Sequence, residues 1–237
     1  MADRLQGQRV IIIGGTSGIG FGVAEAARDA GARVVVASST QAKVDSAVAR
    51  LGAGAGGGTI DTGDEADVER FFRAMGPFDH LVYTAGDWDG RPTDQWEIDS
   101  NQWIFRIRFW GALRAIKHAR ETISRNGSIT LTDGAAGRRP RRGAAVTAAG
   151  AMAIEALIPG LAMDLAPLRV NCVCPGYILT EAVREQVPED TLAAMTRRQP
   201  IPRAAEPWEI AEAYLYLMRA TFTTGDVLVV DGGFTLV

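Results

Sequence analysis

The stretch Val10-Ile11-Ile12-Ile13-Gly14-Gly15-Thr16-Ser17-Gly18-Ile19-Gly20 decides the fold. A wholly apolar run of strand length passes into a glycine-rich turn, and a segment of helical period, Gly20 to Asp29, follows it. Gly14 suits the tight turn, Gly18 a close approach of backbone to a pyrophosphate, and Gly20 close packing of the helix, whose N-terminus faces the anion. A second apolar run, Val34 to Ala37, ends about 20 residues further on, the spacing of a dinucleotide-binding unit.

Working outward, apolar runs keep alternating with helical segments. The sequence predicts helices at Gln41 to Leu51, Asp64 to Met75, Asn101 to Thr122, Ala148 to Leu165 and Pro207 to Arg219. Strands are expected at Thr59 to Asp61, His80 to Tyr83, Ser128 to Thr132, Val170 to Cys174 and Val227 to Val230. Strict alternation with strands apolar on both faces means a doubly wound α/β fold, a parallel sheet with helices on both faces. Ala53 to Gly58 reads as a loop, no composition shift marks a boundary, and residues 1–237 are expected to form a single domain.

The 237 residues are 47% hydrophobic and 22% charged, which excludes disorder and fibres. A net charge of −3 gives no electrostatic reason to expect nucleic acid or an anionic membrane as partner. Cys172 and Cys174 are too close in sequence for an unstrained disulfide, so a reducing cytoplasm is expected. With His80 and His118 they have no metal-ligand spacing, so no metal is expected. Met1 to Gln8 lacks an apolar signal stretch, and no later segment is read as reaching the roughly 18 apolar residues of a membrane span.

At the end of the second strand stand Ser38, Ser39 and Thr40, where an acid would bind a ribose 2′-hydroxyl and repel a 2′-phosphate. Three hydroxyls and no carboxylate favour NADP(H) over NAD(H).

The glycine loop, Asp61, Tyr83-Thr84-Ala85-Gly86, Arg169-Val170-Asn171, Pro175-Gly176-Tyr177-Ile178-Leu179-Thr180 and Thr224-Gly225 to Gly233 together resemble the short-chain dehydrogenase/reductase family over nearly the whole chain. The resemblance implies a doubly wound Rossmann fold with a seven-stranded parallel sheet, a bound dinucleotide, and hydride transfer between a nicotinamide and an alcohol or ketone. It also implies homodimers or homotetramers built on the two long helices and the C-terminal strand. Candidate cofactor contacts are Gly14, Thr16, Ser17, Gly18, Ile19 and Gly20 in the loop, and Ser38 and Ser39 at the ribose. Asp61 matches the family's adenine-contacting aspartate, with Thr62 beside it, and Thr84, Ala85, Gly86, Pro175, Gly176, Ile178 and Thr180 follow at the later strand ends.

The family's Asn-Ser-Tyr-Lys set is missing. Anchored on Glu155, Asp164 and Arg169-Val170-Asn171, the Tyr-x-x-x-Lys motif falls on Thr147-Ala148-Ala149-Gly150-Ala151, the serine position on Gly134 and the asparagine position on Arg108. The only lysines are Lys43 and Lys117, and neither has a tyrosine four residues before it. Candidate catalytic groups are therefore Thr147, a weak and short acid, Arg108 as an electrostatic stabiliser, and Asp133, which a nearby Arg108 is expected to hold ionised. Tyr83 and Tyr177 keep phenols near the site, more in keeping with packing.

Arg138-Arg139-Pro140-Arg141-Arg142 reads as a solvated loop or as a capture site for an anionic substrate. Trp88, Trp96, Trp103 and Trp110 are expected in the core and in oligomer contacts, with Trp88 also able to wall a pocket. Residues 181–206, with prolines and mixed charge, read as a substrate lid. Three functions stay open: an NADP(H)-dependent oxidoreductase with non-standard proton transfer, an inactive cofactor-binding module or subunit, and a non-redox isomerase or cyclase in the same pocket.

Overall fold

Residues 5–86, 93–96, 98, 102 and 104–237 are described by the structure, a computed structural model. Strands β1 (Arg9–Ile13), β2 (Arg33–Ser38), β3 (Ala55–Thr59), β4 (Phe78–Tyr83), β5 (Ile123–Thr132), β6 (Arg169–Pro175) and β7 (Val227–Val230) form one sheet. Their order is β3-β2-β1-β4-β5-β6-β7, and every pairing is parallel. The winding direction reverses between β1 and β4, and a crevice opens there at the strands' carboxyl ends.

Alternate side chains of each strand feed two cores. Ile11, Ile13, Leu81 and Ile129 pack on one face with Phe72 of α3 (Glu65–Met75) and Ile154 of α5 (Ala145–Asp164). Val10, Ile12, Val34 and Val36 pack on the other with Phe21 of α1 (Gly18–Asp29), Leu51 of α2 (Gln41–Leu51) and Tyr214 of α8 (Pro207–Arg219). Burial on both faces is why these strands read as unbroken apolar runs.

The third strand corrects the sequence reading. It is Ala55-Gly56-Gly57-Gly58-Thr59, paired with β2, and so occupies most of the segment expected to be a loop. A Cβ on Gly57 would lie 2.4 Å from Val44 Cγ1, and one on Gly58 would lie 3.0 Å from Phe71 Cε2. Glycine here lets α2 and α3 close onto the edge strand, which leaves no side-chain pattern to read.

The helix expected over Asn101 to Thr122 is also different. Phe105–Gly111 is π-wound, α4 (Ala112–Ala119) continues it, and β5 begins five residues earlier than read, at Ile123 rather than Ser128. A Cβ on Gly111 would stand 2.5 Å from the Tyr83 hydroxyl, so the wide winding lies directly against β4. Asn101 and Trp103, like Trp88, lie outside the described residues. Trp96 and Trp110 are 37% and 54% exposed, so neither belongs to the core as expected.

Helix α5 overturns the statement about apolar length. It is 20 residues long, and 18 consecutive residues of it have a mean hydropathy of 1.6 with 33% of that stretch buried, long and apolar enough to cross a membrane. Its inner face, including Thr147, Ala151, Ile154 and Ile158, packs on the sheet, while Met152 and Met163 lie exposed on its outer side. Both faces are apolar, which is why the total hydropathy is high.

Candidate functional site

A cleft of about 1160 Å³ opens at the carboxyl ends of the strands, and every nucleotide contact named from the sequence, from Gly14 through Thr180, lines it. Gly14 has φ +84°, and a Cβ there would lie 2.7 Å from the Ala85 nitrogen. A Cβ on Gly20 would lie 2.3 Å from the Gly14 carbonyl oxygen and 2.4 Å from Thr84 Oγ1. The loop is therefore closed on itself through glycine alone. Ser17 enters α1 in extended conformation without a side-chain cap, and no acid sits in the first turn. Backbone N–H groups at that end face the cleft, and the Gly18 N–H already engages a carboxylate, donating to Glu181 Oε2 at 2.9 Å. These residues fit a dinucleotide pyrophosphate.

At the ribose end Ser38 and Ser39 line the cleft together with Lys43, which the sequence reading did not single out. Its place in the first turn of α2, one turn past Ser39, is the signal that would have found it. Asp61 lines the same end; its Oδ1 accepts the Gly63 N–H at 2.8 Å, and Arg106 Nη2 stands 3.9 Å from its Oδ2.

The opposite wall carries the altered positions. Thr147 and Gly134 line the cleft, and Ala151 is buried one turn along α5. Arg108 is 5% exposed and donates from Nη2 to the Gly86 carbonyl at 2.8 Å. A Cβ on Gly86 would meet Arg108 Cγ at 2.3 Å, so the arginine stem lies flat against that glycine. Tyr83 turns out to be structural: its hydroxyl donates to the Ile107 carbonyl at 2.6 Å, stands 3.2 Å from Thr62 Oγ1, and burial pushes its phenol up. Tyr177 lines the cleft and packs edge-on to Phe234, with ring centroids 5.2 Å apart.

Asp133 corrects the electrostatic expectation. It is 0% exposed, neither carboxylate oxygen has a hydrogen-bond partner among the described residues, and it lies in the cleft wall. Burial, reinforced by the neighbouring Glu155 carboxylate, raises its pKa to about 8. Asp133 is therefore not held ionised as expected; Arg138 is a cation that opposes the rise without overcoming it. Arg138 in turn is bound to Glu155, its Nε donating to Oε1 at 2.8 Å and Nη2 to Oε2 at 3.0 Å. Burial works to raise Glu155, but Arg138 wins and holds it below the ordinary carboxylate range. Ligand atoms of Asp133, Glu155 and Cys174 lie within 4.8 Å of one another, a cluster that cysteine and histidine spacing did not reveal.

The arginine run is only partly solvated. Arg138 is tied to Glu155, and Arg139 donates to the Phe234 carbonyl at 3.0 Å, with its guanidinium 5.1 Å from that ring. Arg139 and Arg141 both line the cleft, so part of the run faces a ligand. Across from them, α6 (Glu181–Gln186) and α7 (Glu189–Thr196) contribute Val183, Leu192 and Met195 to the lining.

The sequence model of a family described as enoyl-(acyl carrier protein) reductase matches residues 14–235. The chain is 35% identical over 246 residues to the short-chain dehydrogenase/reductase ATR9 of Stachybotrys chlorohalonatus, covering 97% of each. It superposes on the MalC reductase/Diels-Alderase of Malbranchea aurantiaca with a TM-score of 0.93 at 32% identity, covering 100% of this chain and 99% of that one. A small-chain dehydrogenase solved in complex with NADPH matches with a TM-score of 0.82 at 31% identity, covering 98% of this chain and 100% of that one.

Proposed function

The chain belongs to the short-chain dehydrogenase/reductase family, and on that footing we propose that it is an NADP(H)-dependent oxidoreductase acting on a small-molecule carbonyl or its alcohol without the usual tyrosine and lysine. One observation carries this reading: a glycine cradle that fits a pyrophosphate opens into the same cleft as Arg108, Asp133 and Thr147. A bound nicotinamide would supply the hydride. The protein's part is to hold the ring against the substrate and to stabilise developing charge.

Preference for NADP(H) over NAD(H) is supported by Ser38, Ser39 and Lys43 at the ribose end, with no acid at Ser38. An anionic group on the substrate is supported by Arg139 and Arg141 on the cleft wall. The 181–206 segment serves as lid, since its two short helices form one side of the cleft. Exposed Trp110, Met163 and Leu236, together with the wider apolar outer face of α5, suit a homodimer or homotetramer, as is common in the family. Cys172 and Cys174, both free and buried, suit a reducing cytoplasm.

A second reading has its own support. The likeness to a protein named as both reductase and Diels-Alderase, with the proton-donating phenol absent here, favours a non-redox ring-forming activity in the same cleft. Titration with NADPH and NADH, followed by stopped-flow absorbance of bound NADPH over a panel of carbonyl compounds, separates the readings. Tighter NADPH binding and oxidation by at least one compound support the proposal. Binding without any oxidation favours the non-redox enzyme or an inactive module.

A further inference from the structure

We propose that Asp133, beside the Arg138-bound Glu155, carries one exchangeable proton in the wall of the cleft, and that this proton leaves for solvent when a positive charge arrives at the nicotinamide end. The second half rests on the dinucleotide reading; the first does not. An ionised carboxylate in a fully buried position, with neither oxygen in a hydrogen bond of ordinary geometry and only the Cys174 thiol and the Arg138 charge to favour it, has little to offset its lost hydration. It needs a proton or a counter-charge.

The groups facing it decide between the two. From β6 come the Cys172 and Cys174 thiols, both pushed up by burial and therefore uncharged. From α8 comes the Tyr214 phenol, also raised, which lies 2.6 Å from Thr132 Oγ1. From α5 comes Glu155, and from the loop before it Arg138, whose guanidinium grips both Glu155 oxygens. Arg108, from the π-wound segment, is bonded to the Gly86 carbonyl. Arg138 thus balances Glu155, and Asp133 is left to be neutralised by one proton. Burial and the Glu155 charge both favour that state, with a midpoint of about 8 for Asp133.

The proton also has a way out. The Glu155 side chain is 11% exposed and the Arg138 side chain 36%, and neither lines the cleft, so the proton can exchange with water through them. Towards the cleft, Asp133 lies in the lining with Gly134 and Thr147. An oxidised nicotinamide ring carries a positive charge that the reduced ring lacks, and an opposite charge nearby lowers a carboxyl midpoint by about 1 to 3 pH units. Binding the oxidised nucleotide should therefore release a proton that binding the reduced one retains.

Two measurements test this. Infrared difference spectra of the unliganded chain should show a protonated carboxyl band that disappears with a midpoint near pH 8, is missing in Asp133→Asn, and shifts to lower pH in Glu155→Gln. Calorimetry at about pH 7.5 in two buffers of different ionisation enthalpy should give about half a proton more released per chain with NADP⁺ than with NADPH. Asp133→Asn should bind both nucleotides and lose that difference. A wild-type chain with no such band, as a metal ion held by Asp133, Glu155 and Cys174 would also produce, overturns the Asp133 proton. Equal release with both nucleotides, or a difference that survives in Asp133→Asn, overturns the coupling. Failure of both nucleotides to bind overturns the dinucleotide reading and the coupling together, and the infrared titration then decides the Asp133 proton by itself.

Discussion

The two walls of the cleft are built on different principles. On the β1–α1–β4 side, the site is a backbone shape: Gly14 and Gly20 touch Thr84 and Ala85 so closely that no Cβ fits between them. On the β5–α5 side, the site depends on a few side chains, and there the family's phenol and ammonium positions hold Thr147 and Ala151. A backbone cradle tolerates almost no substitution without losing the turn. A buried helix face accepts small residues and keeps its packing, so the chemistry on that wall can change while the fold and the nucleotide cradle stay.

The largest effect should come from breaking the backbone wall. Gly20→Val puts a side chain 2.3 Å from the Gly14 carbonyl oxygen and is expected to weaken NADPH binding by more than about 100-fold, measured by fluorescence titration. Near-normal affinity would mean that the cradle is not where the nucleotide sits.

Next comes the seam between the walls at the other end of the sheet, where His80 of β4 meets Ser128 of β5. His80 Nδ1 lies 2.8 Å from Ser128 Oγ, and Nε2 lies 3.0 Å from Gln8 Oε1. Burial, helped by Arg169, lowers His80 from 6.5 to about 4. The unfolded chain then binds the proton first, so the His80 contribution is full above pH 6.5 and falls by about 3 kcal/mol as pH drops towards 4. Asp133 has the opposite sign: raised from 3.8 to about 8, it keeps its proton longer in the folded chain, so its contribution shrinks as pH rises through that window. Between about pH 4 and 6.5 the two offset each other in the wild type. Urea unfolding of Asp133→Asn should expose the His80 slope, and adding His80→Gln should remove it; a flat profile in Asp133→Asn would contradict this.

A smaller effect is expected at Tyr83. Tyr83→Phe leaves the Ile107 carbonyl without its hydroxyl donor and should cost about 1 kcal/mol in thermal unfolding. A loss of hydride transfer without loss of stability would instead make Tyr83 part of the chemistry. Smallest of all is Thr147→Val, expected to slow NADPH oxidation less than about tenfold, whereas loss of a true acid costs about 10²- to 10⁴-fold.

The first wall was readable because it is local: the glycine loop, its flanking strands and the contacts at Asp61, Thr84 and Pro175 follow one another along the chain and end in one cleft. The second was readable only as an absence. Asp133 and Glu155 come from different elements, and their closeness depends on how α5 lies on β5, which no residue pattern encodes. Arg138 was read as a solvated charge for the same reason. The glycine strand β3 was missed because a strand rich in residues without side chains shows no alternation, and what packs on it, Val44 and Val48 against Gly57 and Phe71 against Gly58, comes from the helices α2 and α3.

The most direct test follows bound NADPH by stopped-flow absorbance while a panel of ketones is mixed with the wild-type chain. Oxidation by at least one compound is expected. Tight NADPH binding with no oxidation by any compound would contradict it.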